Sequence, residues 1–141
     1  MSVADFFDTN VLVYLFDDAE PAKQSVARRL VSQALAADSG CISYQVVQET
    51  LNVVTCKFKR PATPDEAQQI LRRSLVPLWR VMPSPALYAR ALDLRQRYQY
   101  SFYDSLIVAA ALESGCTRLY SEDLQHGQQI EGLIIENPFT N

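Results

Sequence analysis

The strongest constraint on this chain is an alternation. Short apolar runs bounded by turn residues are separated by longer segments in which apolar residues recur every three or four positions. Residues 3–7, 41–43, 79–82, 118–121 and 133–136 are the short runs, each of strand length and too short for a helix. Between them, Val26, Leu30, Val31, Ala34 and Leu35 keep helical spacing, with Lys23, Arg28 and Gln33 outside, until Ser39-Gly40, which is expected to stop the helix. Ser43 is a suitable cap for a helix over 44–58. Thr63, followed by Pro64-Asp65-Glu66, opens another, whose inner face carries Ala67, Ile70, Leu71, Leu75 and Leu78. Ser84-Pro85 repeats that start, and residues 106–112 are apolar all round, which predicts a helix buried against the sheet. Strands that alternate with helices pair in parallel through right-handed crossovers, with helices on both faces, so the expected fold is an α/β domain with a mainly parallel sheet of about five strands.

Composition adds limits to this reading. A chain of 141 residues suffices for one domain, 1–141, and 48% hydrophobic with 21% charged residues supports a packed core without a disulfide scaffold. Cys41, Cys56 and Cys116 show no metal-binding spacing and are expected to be small buried hydrophobes in a reducing compartment. Residues 1–5 lack a basic leader and no run is long enough to span a bilayer, so a cytoplasmic protein without membrane association is expected. The net charge of −3 argues against a dedicated nucleic-acid binder, yet the basic residues are clustered at Arg28-Arg29, Lys57 to Arg60 and Arg72-Arg73. Helix C-termini and solvated faces account for such clusters as well as phosphate contacts do.

Four acids occupy comparable places in this pattern. Asp8 follows the first strand, Glu49 borders the apolar stripe of the helix after the second, Asp104 opens the buried helix, and Asp123 follows the fourth strand. Each has a plainer explanation: a cap at Asp8, a capping box with Ser101 at Asp104, a turn at Asp123, a solvated position at Glu49. Strand carboxyl ends in a doubly wound sheet face one way, so the four can converge. Crowded carboxylates repel and protonate unless a cation sits among them, and an all-oxygen set suits Mg²⁺ or Mn²⁺.

The stretches Phe7-Asp8-Thr9-Asn10-Val11-Leu12, Gln48-Glu49-Thr50-Leu51-Asn52, Tyr103-Asp104 and Leu119 to Gly127 occur in an order that resembles the PIN-domain ribonucleases, and in particular VapC-type toxins of bacterial toxin-antitoxin pairs. The resemblance runs from the first strand to Asn137-Pro138-Phe139. It implies a three-layer α/β/α PIN-like domain and a metal-dependent endoribonuclease with Asp8, Glu49, Asp104 and Asp123 as catalytic residues around one or two Mg²⁺ or Mn²⁺ ions. Asp8 and Asp104 are the first choices as direct ligands, Asp123 next, and Glu49 through water. Thr9, Asn10 and Ser121 would orient these groups, and Glu122 competes with Asp123 for the metal. His126 is expected to support its loop rather than transfer protons. Lys57, Lys59, Arg60, Arg72 and Arg73 are RNA-binding candidates, with Tyr44, Phe58 and Tyr100 as stacking candidates set against ordinary core roles. The resemblance further implies an RNA substrate, a homodimer and a cognate antitoxin protein.

Rival readings fare less well. A receiver phosphorylated on aspartate requires a late lysine, whereas the lysines are Lys23, Lys57 and Lys59, and a phosphatase of the Asp-x-Asp kind requires an acid where Asn10 stands. The remaining alternative is a PIN-like RNA-binding or protein-interaction module without catalysis.

Overall fold

A computed structural model describes residues 3–140, so the outermost residues of the expected domain, 1, 2 and 141, lie outside the described residues. The chain runs β1 (Asp5–Phe7), α1 (Thr9–Tyr14), α2 (Pro21–Ala37), β2 (Gly40–Ser43), α3 (Tyr44–Cys56), α4 (Pro64–Ile70), a π-helical segment (Leu71–Leu75), β3 (Trp79–Val81), α5 (Pro85–Tyr98), α6 (Phe102–Glu113), β4 (Arg118–Tyr120), β5 (Gln129–Ile130) and β6 (Leu133–Glu136). The strands form one sheet in the order β3-β2-β1-β4-β6-β5. All pairings are parallel except that of β5 with β6. Successive strand residues point to opposite faces, and Phe6 and Phe7 are both wholly buried, so helices cover the sheet on both sides. This is the three-layer α/β/α arrangement expected.

Local chemistry explains most helix starts. Ser43, Thr63, Ser84 and Ser101 each cap the helix that follows, accepting a backbone N–H from its first turn, and Thr63 with Glu66 completes a capping box. Buried positions run without a break from Ser105 to Ala111 in α6, which packs on α5 and on the sheet.

Three features differ from the sequence expectation. The helix before β2 ends at Ala37, with Asp38 in the left-handed conformation at φ 53°, rather than at Ser39-Gly40. Gly40 is instead the first residue of β2, where an added Cβ would stand 2.7 Å from Leu78 Cδ2 and 3.0 Å from Ala34 Cβ; close approach, not a turn, requires glycine there. The helix expected to run from Pro64 to Leu78 widens to π geometry over Leu71–Leu75, and the edge carries a sixth, two-residue antiparallel strand, Gln129–Ile130, beyond the five expected. Cys41 and Cys116 are buried as expected, but Cys56 is exposed at the end of α3.

The sheet order reverses at β1. From β1 the chain builds outward to β2 and β3, then returns to set β4 on the other side of β1. Such a reversal leaves a crevice beyond the carboxyl ends of the two strands that flank it. Asp8 follows one of them and Ser121-Glu122-Asp123 follows the other.

Candidate active site

The crevice begins with Asp8. Its backbone N–H donates to the Tyr120 carbonyl at 2.9 Å, extending the β1–β4 ladder by one rung and fixing Asp8 against the residue before Ser121. Asp8 is 6% exposed. Its Oδ1 accepts the Thr9 N–H at 2.7 Å and its Oδ2 accepts the Ser121 hydroxyl at 2.7 Å. Ser121, fully buried, also accepts the Asp123 and Leu124 N–H groups at 3.1 and 3.3 Å. One hydroxyl therefore ties the acid after β1 to the loop after β4.

The neighbours of Asp8 reach the other acids. Thr9 Oγ1 donates to Glu49 Oε1 at 2.8 Å, and Asn10 Nδ2 donates to Asp123 Oδ2 at 3.1 Å. Asn10 Oδ1 accepts the Glu122 N–H at 3.2 Å, so this amide holds two successive residues of the loop. Asp8, Glu49, Asp104 and Asp123 line a single cavity of about 520 Å³, with Asp104 on the first turn of α6 and Glu49 on α3. The Ser101 cap accepts the Asp104 N–H at 3.1 Å, which fills half of the expected capping box; among the described residues the Asp104 carboxylate makes no hydrogen bond of its own.

Electrostatics in the cavity are one-sided. Among the described residues five acids line it, the fifth being Asp17, and Lys57 is the one basic residue on its wall. Burial pushes the Asp8 carboxyl from 3.8 up to about 6 against the Ser121 and Thr9 hydrogen bonds that lower it, and the charges of Asp123 and Glu49 add to the rise. The donors fit a hard divalent cation: they are all oxygen, and the most buried of them is costly to ionise without positive charge nearby. Among the described residues, however, no three His, Cys, Asp or Glu side chains are gathered into a ready set of metal ligands. The acids share a cavity without closing on one point.

Other expected residues separate into those that join the cavity and those that do not. Glu122 does not: its carboxylate accepts from Tyr14 Oη and Lys23 Nζ, each at 2.7 Å, in a half-buried network beside the crevice. Lys23 lowers the Glu122 acid group against the opposing effect of burial. Lys57 joins the cavity, Lys59 and Arg60 line a neighbouring one, and Arg72 and Arg73 of the π-helical segment are exposed and line neither. Tyr44 donates its hydroxyl to Tyr88 at 3.0 Å, Tyr100 is bonded to Gln128, and only Phe58 of the three stacking candidates borders the cavity. His126 supports its loop, its Nδ1 accepting the Asn137 N–H at 3.0 Å.

Sequence reading missed Asp17, Gln45, Asn52 and Tyr103 as lining residues. Gln45 and Asn52 lie one turn before and after Glu49, so helical spacing alone marks them as its neighbours. Gln45 is buried, donates Nε2 to the Tyr103 carbonyl at 3.3 Å, and its Oε1 has no partner among the described residues. It thereby joins the helix of Glu49 to the residue before Asp104.

A doubly wound sheet with acids from four elements at its reversal point defines the class, and the chain belongs to the PIN domain family, whose model matches residues 6–128. Two solved structures share the fold. A chain of a toxin-antitoxin complex from Klebsiella pneumoniae aligns with a TM-score of 0.66 at 23% identity, covering 96% of this chain and 98% of its own length. The Sarcin-Ricin loop cleaving toxin VapC20 of Mycobacterium tuberculosis aligns with a TM-score of 0.59 at 22% identity, covering 85% and 90%. No curated protein sequence matches the chain.

Proposed function

We propose that this protein is a divalent-metal-dependent endoribonuclease of the VapC type, the toxin of a toxin-antitoxin pair. The observation that carries the reading is the convergence of Asp8, Glu49, Asp104 and Asp123, from four separate elements, on one cavity at the sheet reversal. Membership of the PIN family and likeness in fold to an RNA-cleaving toxin support it.

In this reading Asp8, Asp104, Asp123 and Glu49 are the residues that would hold Mg²⁺ or Mn²⁺, and the ion would supply positive charge at the scissile phosphate and lower the pKa of an attacking water. The chain's own work is orientation. Ser121 fixes the rotamer of Asp8 while holding the loop that carries Asp123, Asn10 clamps that loop, and Thr9 restrains Glu49. Lys57, the single cation on the wall, binds a phosphate next to the one that is cut.

The partners follow from the same reading. A second copy has apolar surface to cover at Met82, just after the edge strand β3, and at Tyr88 and Leu92 of α5. An antitoxin protein is supported by the fold shared with a chain of a toxin-antitoxin complex. No helix among the described residues is long and apolar enough to cross a membrane, in keeping with a protein acting on cytoplasmic RNA.

Purified protein freed of partners is expected to cleave RNA with Mg²⁺ or Mn²⁺ and to stop when EDTA is added. Asp8→Asn and Asp104→Asn are expected to be inactive, and parental activity in both would overturn the mechanism. Growth arrest on induced expression, relieved by the same substitutions, separates a toxin from a housekeeping nuclease. The open spacing of the carboxylates favours one rival, a PIN-like binding module; RNA binding without cleavage at any metal concentration would establish it.

A further inference from the structure

Three of the four acids are each restrained by a polar side chain. Asp8 accepts from Ser121, Glu49 from Thr9 and Asp123 from Asn10. The Asp104 carboxylate has no such partner among the described residues, so its place is set by where the first turn of α6 lies. Helices α3 and α6 each pack on β2 but scarcely on one another. The separation of Glu49 and Asp104 therefore depends on whatever links the two helices beside the cavity. Because the acids share a cavity without closing on one point, that separation decides whether a single ion is within reach of them all.

Gln45 provides such a link. It stands in the first turn of α3, one turn before Glu49, lines the cavity, and sends Nε2 across to the carbonyl of Tyr103, the residue before Asp104. That bond is long, at 3.3 Å, and it is an additional one for a carbonyl that also accepts a backbone N–H one turn on within α6. The other end of the amide is worse served: Oε1 is buried and has no partner among the described residues. An orphaned buried acceptor is a net cost to folding, and an unbranched apolar side chain of the same length would fill the space without it. Stability alone therefore does not account for glutamine at this position. Thr50 carries a second buried orphan on the same helix, but it does not line the cavity.

We propose that Gln45 is a positioning residue: its amide sets the first turn of α6 against α3, and so places Asp104 relative to Glu49 for a shared divalent cation, at a cost in stability. In this role it touches neither metal nor substrate and acts through Asp104. The inference rests on the metal-dependent reading of the cavity and deepens it by naming a residue outside the acid set on which that reading depends.

The full chain carrying Gln45→Met, a side chain of matching length without the amide, is compared with the parent. In EDTA its urea midpoint should equal or exceed the parental one. Mn²⁺ affinity without RNA, read from the electron paramagnetic resonance of the free ion, should fall about tenfold. In the nuclease assay kcat should fall by about ten- to a hundredfold, with KM for RNA unchanged. In an Asp104→Asn background, where the residue it acts through is already altered, Gln45→Met should change Mn²⁺ affinity by less than about twofold. Thr50→Val, which removes the orphan outside the cavity, should raise the urea midpoint and leave Mn²⁺ affinity as it was. Parental Mn²⁺ affinity in folded Gln45→Met overturns the proposal, as does an equal loss in both backgrounds. Destabilisation or misfolding of both Gln45→Met and Gln45→Leu also overturns it, because the amide would then hold the fold rather than the site. Failure of the two claims is distinguishable: Mn²⁺ affinity that depends on Gln45 in a protein that cleaves no RNA sinks the nuclease reading alone, and cleavage and Mn²⁺ affinity indifferent to Gln45 sink the positioning role alone.

Discussion

Replacing Asp8 with asparagine should make the metal-free protein more stable at neutral pH while abolishing cleavage. Burial lifts the Asp8 acid group from 3.8 to about 6 in the folded chain. A folded pKa above the unfolded one means that folding takes up a proton between those values, so this group's contribution to stability declines as pH rises through about 6 and is level above it. At about 1.4 kcal/mol per pKa unit, the ionised carboxylate costs about 3 kcal/mol at pH 7.5 relative to its neutral form. Asparagine is neutral throughout and keeps an oxygen for the Thr9 N–H, but its amide meets Ser121 Oγ, which already accepts two N–H groups. Losing the Ser121 bond takes back about 1 kcal/mol. The net expectation is about 2 kcal/mol of stabilisation at pH 7.5, shrinking on acidification and reversing near pH 4 as wild-type Asp8 becomes neutral. Urea unfolding of parent and variant in EDTA at several pH values measures this difference, and the other titrating groups cancel in the comparison. Divalent metal should stabilise the parent and leave the variant largely unmoved. A variant less stable than the parent at pH 7.5, or a difference independent of pH, would refute the claim that Asp8 is held ionised at a cost.

Three further substitutions probe the loop after β4. Glu122→Gln should leave RNA cleavage close to the parental rate because that carboxylate faces Lys23 and Tyr14, whereas Asp123→Asn should lower it by about ten- to a hundredfold; initial rates under saturating Mg²⁺ decide between them, and equal losses would place both acids in the cavity. Ser121→Ala removes a buried hydroxyl that makes three hydrogen bonds and should cost about 2–3 kcal/mol in denaturant unfolding and slow cleavage, while a loss under about 0.5 kcal/mol would show that the loop holds itself.

Much of the architecture was legible from local chemistry. The alternation of short apolar runs with capped helical segments determined a parallel, doubly covered sheet. Ser43, Thr63, Ser84 and Ser101 marked helix starts because a side-chain oxygen before a helix has a free N–H to accept. Asp8, Asp104 and Asp123 could be singled out because each follows a strand or opens a helix, and local pattern records that much. Other features depended on neighbours distant in sequence. Asp38 rather than Gly40 ends α2, because Gly40 is needed where Leu78 and Ala34 press against β2. The strand Gln129–Ile130 is two residues long and exists through its pairing with β6, too little chain to show a period.

The site divides in the same way. The sequence by itself determined which acids stand at element ends and that an all-oxygen group of them calls for a hard cation. It could not decide between Glu122 and Asp123, since adjacent residues in a turn share the same local signal while their side chains diverge. Only the tertiary structure did so, by setting Lys23 and Tyr14 beside one and Asn10 beside the other. Sheet order arises from pairing between strands far apart in the chain. The meeting of Asp8 with Ser121, and the reach of Gln45 from α3 to the first turn of α6, are therefore properties of the folded protein rather than of any stretch of its sequence.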